Sequence, residues 1–235
     1  MLDEQTHYPF SEDIKVKVSG LKKKKAAFPL YLRIPTWAQG ASVKINGKLE
    51  PVALERGKYV CINRQWKNGD RVTLALPMSL GLRQWTANKN SVSVDYGPLT
   101  LSLKIKERYV IRDSKETAIG DSKWQKNADA SQWPTTEIYA DSPWNYALYL
   151  PGGELKIDRV RKAWPADDFP FTLDSTPISF RAKGRLVPSW TMDKYDLCGI
   201  LPEPTAAKSA ELYDIELVPM GAARLRISAF PVAKE

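Results

Sequence analysis

Between Phe28 and Met78 the side chains alternate between apolar and polar. Leu30, Leu32 and Ile34 are interleaved with Tyr31 and Arg33. Val43 and Ile45 are interleaved with Ser42 and Lys44, and Val72, Leu74 and Leu76 with Thr73 and Ala75. Successive side chains of an extended strand point to opposite faces, so a period of two marks strands with one buried face. Asn46-Gly47 and Asn68-Gly69-Asp70 punctuate the runs. Asn and Gly tolerate the positive φ angles of tight turns. The pattern predicts an antiparallel sheet laid out as consecutive hairpins. The rest of the chain must pair with that sheet or pack on its apolar face.

The same period extends outward. Residues 1–13 read as a lead-in, and Ile14, Val16 and Val18 alternate with Lys15 and Lys17 as a first strand. Tyr59 to Ile62 is another. Leu80 to Trp85 is expected to bend away from the sheet. Val92 and Val94 open a strand, and Leu99, Leu101, Leu103 and Ile105 resume the alternation after Tyr96-Gly97-Pro98. That many strands by residue 105 would complete a sandwich. Residues 112–134 lose hydrophobic periodicity and read as a connection. Strand patterning returns at 137–140, 145–150, 155–160, 178–182, 186–187, 212–218 and 224–230, the last two joined at Met220-Gly221. No stretch holds a helical period beyond a turn or two. The expected fold is all-β: two antiparallel β-sandwich-like domains, residues 1–111 and 135–235, joined by the 112–134 region.

Several function classes are disfavoured by what the residues offer. There are 35 basic and 27 acidic side chains, a net charge of +8. They are scattered along strands, where they mark solvent-facing positions. The dense run Lys22–Lys25 reads as a solvated loop, and no recognition helix or basic-aromatic interleaving accompanies it, so no nucleic-acid partner is expected. No apolar run approaches the ~18 residues of a spanning helix. The opening MLDEQTHYPF is acidic and polar and does not read as a signal peptide.

Chemistry is equally sparse. His7 is the single histidine, which leaves almost no material for a His-based triad. No GxSxG elbow, phosphate loop, HExxH or dinucleotide fingerprint occurs. Cys61 and Cys198 are the two cysteines. They lie too far apart in sequence for a metal motif or an immunoglobulin-type bridge. Cys61, inside a strand, reads as a small buried hydrophobe rather than a nucleophile. Asp167-Asp168 in WPADDFP reads as exposed charge in preference to a calcium site. Asp196 and Glu203, the candidate acid pair of a glycosidase, read as surface-loop residues. No catalytic and no metal-ligating residue is named.

The eight tryptophans are the remaining hint. Trp37, Trp66 and Trp85 stand at strand ends; Trp124, Trp133, Trp144, Trp164 and Trp190 stand in or beside loops. Aromatic rings stack on sugars as readily as they fill cores. Trp124, Trp133 and Trp144 are the candidate carbohydrate-binding residues. The competing reading for each is a core edge, a seam or a docking surface.

Short motifs in order carry a family resemblance. LRIPTWA (32–38), VKING (43–47), WKNGD (66–70), LALPM (74–78) and YGPLTLSL (96–103) are similar to the middle β domain of glycoside hydrolase family 127, the β-L-arabinofuranosidase-like family. HYPF (7–10) resembles the entry to that domain. SPWNYAL (142–148), DLCGILPEP (196–204) and LVPMGAARLRISAFP (217–231) resemble its C-terminal β domain. The resemblance implies a parent glycoside hydrolase with an N-terminal (α/α)6 catalytic domain. In that family the nucleophile is a cysteine held at a zinc site by further Cys and a Glu, with another Glu as acid/base. Neither Cys61 nor Cys198 matches that motif, so no catalytic residue carries over, and zinc is implied only for the helical domain. The chain is expected to start after that domain and to be inactive alone. Expected partners are the catalytic domain, a plant-type glycan and a second copy of the chain; the parent is expected in the periplasm or outside the cell. An autonomous carbohydrate-binding or interaction module is the alternative.

Overall fold

The computed structural model of the chain describes residues 1–112, 132, 134–204 and 211–233. It divides into two compact units, Met1–Gly81 with Asp95–Leu99, and Leu82–Val94 with Thr100–Glu235. Both are built from strands; the described helical elements are short 3-10 turns.

The first unit contains β1 (Leu2–Thr6), β2 (Asp13–Val18), β3 (Ala26–Arg33), β4 (Ser42–Ile45), β5 (Lys48–Leu49), β6 (Tyr59–Trp66) and β7 (Arg71–Ala75). Five of them form a sheet in the order β1-β2-β7-β4-β5, and β3 pairs with β6 as a separate ribbon. The expected alternation holds across the pairings. Leu30 faces Ile62, and Leu32 faces Val60. Val43 faces Leu74, and Ile45 faces Val72. Leu30, Val60, Ile62 and Trp66 of the ribbon share one core with Val18, Val43, Ile45, Val72 and Leu74 of the sheet. Two apolar faces therefore cover each other, which makes a sandwich. Trp66 is fully buried. Its Nε1 donates to the Phe28 carbonyl at 2.9 Å, and its ring stacks on Phe28 at 5.7 Å.

Two expectations are corrected here. Asn46-Gly47 does close a hairpin, with Ile45 opposite Lys48 and positive φ at both turn residues. The longer stretch is not a run of consecutive hairpins, because β3 pairs with β6 while β4 pairs with β7. Neighbouring segments so enter different sheets. A single sheet would have left its apolar face open, whereas splitting the segments lets the two faces bury each other. The lead-in also contains a strand: β1 pairs with β2 from Leu2↔Val18 to Thr6↔Ile14. As an edge strand that is almost wholly exposed, it carries no alternation to read. Lys22–Lys25 are all exposed, as a solvated loop should be.

The remaining strands are β8 (Leu80–Trp85), β9 (Ser91–Tyr96), β10 (Leu99–Leu103), β11 (Glu107–Arg112), β12 (Thr135–Ala140), β13 (Tyr146–Tyr149), β14 (Asp158–Arg161), β15 (Ile178–Leu186), β16 (Leu212–Pro219) and β17 (Val232–Ala233). An eight-stranded sheet runs β17-β13-β15-β16-β10-β9-β8, with β14 added beside β15, and β11 with β12 forms a ribbon. β13 and β17 run parallel; the other registered pairs are antiparallel. Leu80–Trp85 leaves the five-stranded sheet, as expected, and forms β8 at the end of the eight-stranded one; its residues are exposed after Leu80. β10 pairs with β16, placing Leu103 opposite Leu217. Leu101, Leu103, Leu148, Phe180, Leu217 and Phe230 are among the most deeply buried side chains.

The strand expected at 224–230 is absent. Its place is taken by irregular chain held by single contacts: the Arg224 and Leu225 amides donate to Glu107, Leu103 N donates to the Ile227 carbonyl, and Val92 bridges Phe230. A carboxylate has taken the amides that a ladder would use, and Pro231 has none to offer. Regular pairing resumes at β17.

Candidate functional site

A cleft of about 510 Å³ lies within the second unit. One wall is the chain leaving β10, with Lys104, Lys106, Glu107, Tyr109 and, across the ribbon, Asp141. The other is the loop before β15, Phe171 to Asp174, and Ala222 and Arg224 complete the lining.

Each wall is held by its own bonds. Lys104 N donates to the Glu216 carbonyl at 2.8 Å, and its Nζ pairs with Glu216 Oε2 at 3.0 Å. Lys106 N donates to Ser142 Oγ at 2.9 Å; Asp141 N donates back to the Lys106 carbonyl at 2.7 Å. Glu107 is a clamp. Its Oε1 accepts from Arg224 N at 2.6 Å and Leu225 N at 3.1 Å, while its Oε2 accepts from the Tyr109 hydroxyl at 2.5 Å. That bond, with burial and the Glu107 charge, raises the Tyr109 pKa, and Arg224 opposes the rise. A carboxylate so committed is a brace, not a free acid or base.

The opposite loop is closed by hydroxyls. Thr172 Oγ1 donates to Ser175 Oγ at 2.7 Å, which donates in turn to the Phe169 carbonyl at 2.7 Å. Ser175 N donates to Thr172 Oγ1 at 3.1 Å, and Thr172 N to Ser175 Oγ at 3.2 Å. The Phe171 ring rests edge-on against Phe169, 5.8 Å between centroids at 70°. Just upstream, Trp164 Nε1 donates to Asp168 Oδ1 at 2.6 Å, and Phe169 N donates to Asp167 Oδ1 at 3.2 Å. Asp167-Asp168 thus shape the loop that carries Phe171. The resulting cleft presents two aromatic surfaces together with hydrogen-bond donors and acceptors of both charge signs.

Trp144, Asp196, Glu203 and the two cysteines are not among the lining residues of the cleft. Trp144 is half-buried and meets the buried Trp190 edge-on at 5.1 Å; Trp190 Nε1 donates to the Gly199 carbonyl at 3.0 Å. Trp124 and Trp133 lie outside the described residues. Glu203 pairs with Lys89 at 3.3 Å, and Asp196 occupies a positive-φ turn whose Asp193 carboxylate binds the Tyr195 and Leu197 amides. Cys61 requires a correction: it is exposed, not buried. Val60 and Ile62 face the core, so the residue between them must face out. A hydrogen bond between Cys61 and Tyr31 raises the Tyr31 pKa. Cys198 is exposed and free as well. Sequence reasoning passed over Tyr109 and Phe171. The signal it had was two phenylalanines, Phe169 and Phe171, in a loop sequence with no strand to need them.

The fold defines a class: two antiparallel β units without a helical layer among the described residues. Residues 1–78 match the family model described as β-L-arabinofuranosidase, GH127 middle domain. Three solved structures share the fold. A glycoside hydrolase aligns with a TM-score of 0.60 at 22% identity, covering 99% of this chain and 32% of its own. A GH127 β-L-arabinofuranosidase from Geobacillus stearothermophilus T6 aligns at 0.55 and 21%, covering 100% and 30%. A third, a GH127 β-arabinofuranosidase, aligns at 0.58 and 17%, covering 100% and 33%. No curated protein matches. The resemblance to the GH127 middle domain therefore holds over residues 1–78, and the whole chain shares its fold with these structures. The chain spans about a third of the length of the solved chains it matches.

Proposed function

We propose that this chain is the non-catalytic β portion of a glycoside hydrolase resembling β-L-arabinofuranosidase, and that it supports a helical catalytic domain. The observation that carries the reading is the middle-domain match at residues 1–78 in a chain that spans about a third of its solved relatives. On this reading zinc and the nucleophilic cysteine belong to the helical partner. The β domains pack on it, shape its substrate entrance and offer surface for dimerisation. The side chains here suit that role. Glu107 is spent on backbone amides, and Cys61 stands on an exposed strand face beside Tyr31.

The test is direct. The purified chain, reduced and zinc-loaded, is incubated with an aryl β-L-arabinofuranoside, and separately mixed with the isolated helical domain of a GH127 enzyme. No release of the aryl group and co-elution with the helical domain are expected. Turnover that follows the chain through purification and disappears in Cys61→Ala or Cys198→Ala refutes the reading.

A further inference from the structure

The cleft of the second unit is not explained by a supporting role. Its volume of about 510 Å³ falls in the range of small-molecule sites. Two large aromatic rings stand open at it, Tyr109 at 53% and Phe171 at 40% exposure. Rings left exposed in a concave surface retain apolar area that a ligand can cover.

The polar lining narrows the ligand. Glu107 is taken by two amides and a phenol, and Lys104 by Glu216. Asp141, Asp174, Lys106 and Arg224 remain; none of their charged groups forms a salt bridge or side-chain hydrogen bond among the described residues, and Arg224 acts on Tyr109 through its charge alone. Two carboxylates and two cations balance. An anion would meet Asp141 and Asp174, and a metal ion would meet Lys106 and Arg224. Hydroxyl groups are both donors and acceptors, so a neutral polyhydroxylated ligand satisfies both signs at once. Its C–H faces would stack on Phe171 and Tyr109. The ring positions are set beforehand, Phe171 by the Thr172–Ser175 bonds and Phe169, and Tyr109 by Glu107. Little ordering is left to oppose binding.

We infer that the cleft lined by Tyr109, Asp141, Phe171, Asp174 and Arg224 is a binding site for a short neutral saccharide. The site does not include Trp144, and it does not depend on whether the chain is catalytic.

The experiment titrates the whole 235-residue chain with L-arabinose, arabinobiose and xylobiose, and with D-glucuronate as the anionic probe. Calorimetry and saturation-transfer NMR report binding. A neutral disaccharide is expected to bind with Kd of about 1 mM. Phe171→Ala removes one stacking surface and should weaken it about five- to tenfold. Asp174→Asn should weaken it in the same direction, and Trp144→Ala should leave it unchanged. The proposal is overturned by no neutral-sugar binding up to about 20 mM, by affinity unaffected in both cleft variants, by loss confined to Trp144→Ala, or by glucuronate binding more tightly than the neutral sugars. Hydrolysis of the ligand would overturn the supporting role and leave the cleft assignment standing, so the two failures are distinguishable.

Discussion

Asp70 joins two turns of the first unit, and its removal makes a measurable prediction. The residue is 9% exposed. Its Oδ1 accepts from Asn46 Nδ2 at 2.9 Å, and its Oδ2 accepts from Lys67 N at 2.8 Å. Asn46 then accepts from Arg71 N at 2.8 Å. The Asn46 bond, followed by the Lys67 amide, lowers the Asp70 pKa against the opposing effect of burial; Arg64 and Lys67 add to the lowering. Hydrogen bonds to a charged group contribute about 1.5–3 kcal/mol each, and unsatisfied donors cost about 1–3. Asp70→Ala strands two donors, so it should destabilise the unit by about 3 kcal/mol. Asp70→Asn keeps the shape but turns an NH2 toward one of the two donors, and should cost about 2 kcal/mol. Because the folded-state pKa lies below the unfolded value, this contribution is complete above about pH 4 and is lost as pH falls through the lowered folded pKa. The gap between wild type and Asp70→Asn should therefore close under acid, where protonated Asp70 resembles Asn. Native-state hydrogen exchange of the Val18, Lys67 and Arg71 amides, followed from neutral to acid pH, measures it. A gap below about 1 kcal/mol at neutral pH, or one that does not narrow in acid, refutes the reasoning.

Three further outcomes are expected. Gly97 has φ +55°, and a Cβ there would stand 2.6 Å from Met78 Cγ; Gly97→Ala should lower stability by about 1–3 kcal/mol in chemical denaturation, with partial rescue by Met78→Ala. Trp190→Phe forfeits the bond to the Gly199 carbonyl and part of the Trp144 contact, for a loss of about 1–2 kcal/mol seen in thermal unfolding. Both cysteines are exposed, so two thiols should titrate with a disulfide reagent without denaturant; an uptake of one or none would contradict their placement.

The alternation from Phe28 to Met78 determined a good deal without coordinates. It located the strands, and it identified Leu30, Val43 and Leu74 as inward-facing, because a period of two leaves no other face for them. It would also have turned Cys61 outward had Val60 and Ile62 been given precedence over the general burial of cysteine. The same stretch carries the motifs that the GH127 middle-domain model matches. β1 is not legible in the sequence because an edge strand that is almost wholly exposed has no pattern to show.

Partnership was the business of the tertiary structure. Periodicity says that a strand has a buried face, not which strand lies beside it, so β3 with β6 and β10 with β16 became visible only in the fold. The closing segment was misread as a strand because a side chain 117 positions earlier, Glu107, takes the Arg224 amide. The cleft follows the same logic. Tyr109 stands on β11, while Asp141, Phe171 and Arg224 stand on three separate connections, and each looks like ordinary surface in one dimension. They become a site only when long-range pairing brings their loops to one place, and no local pattern encodes that distance.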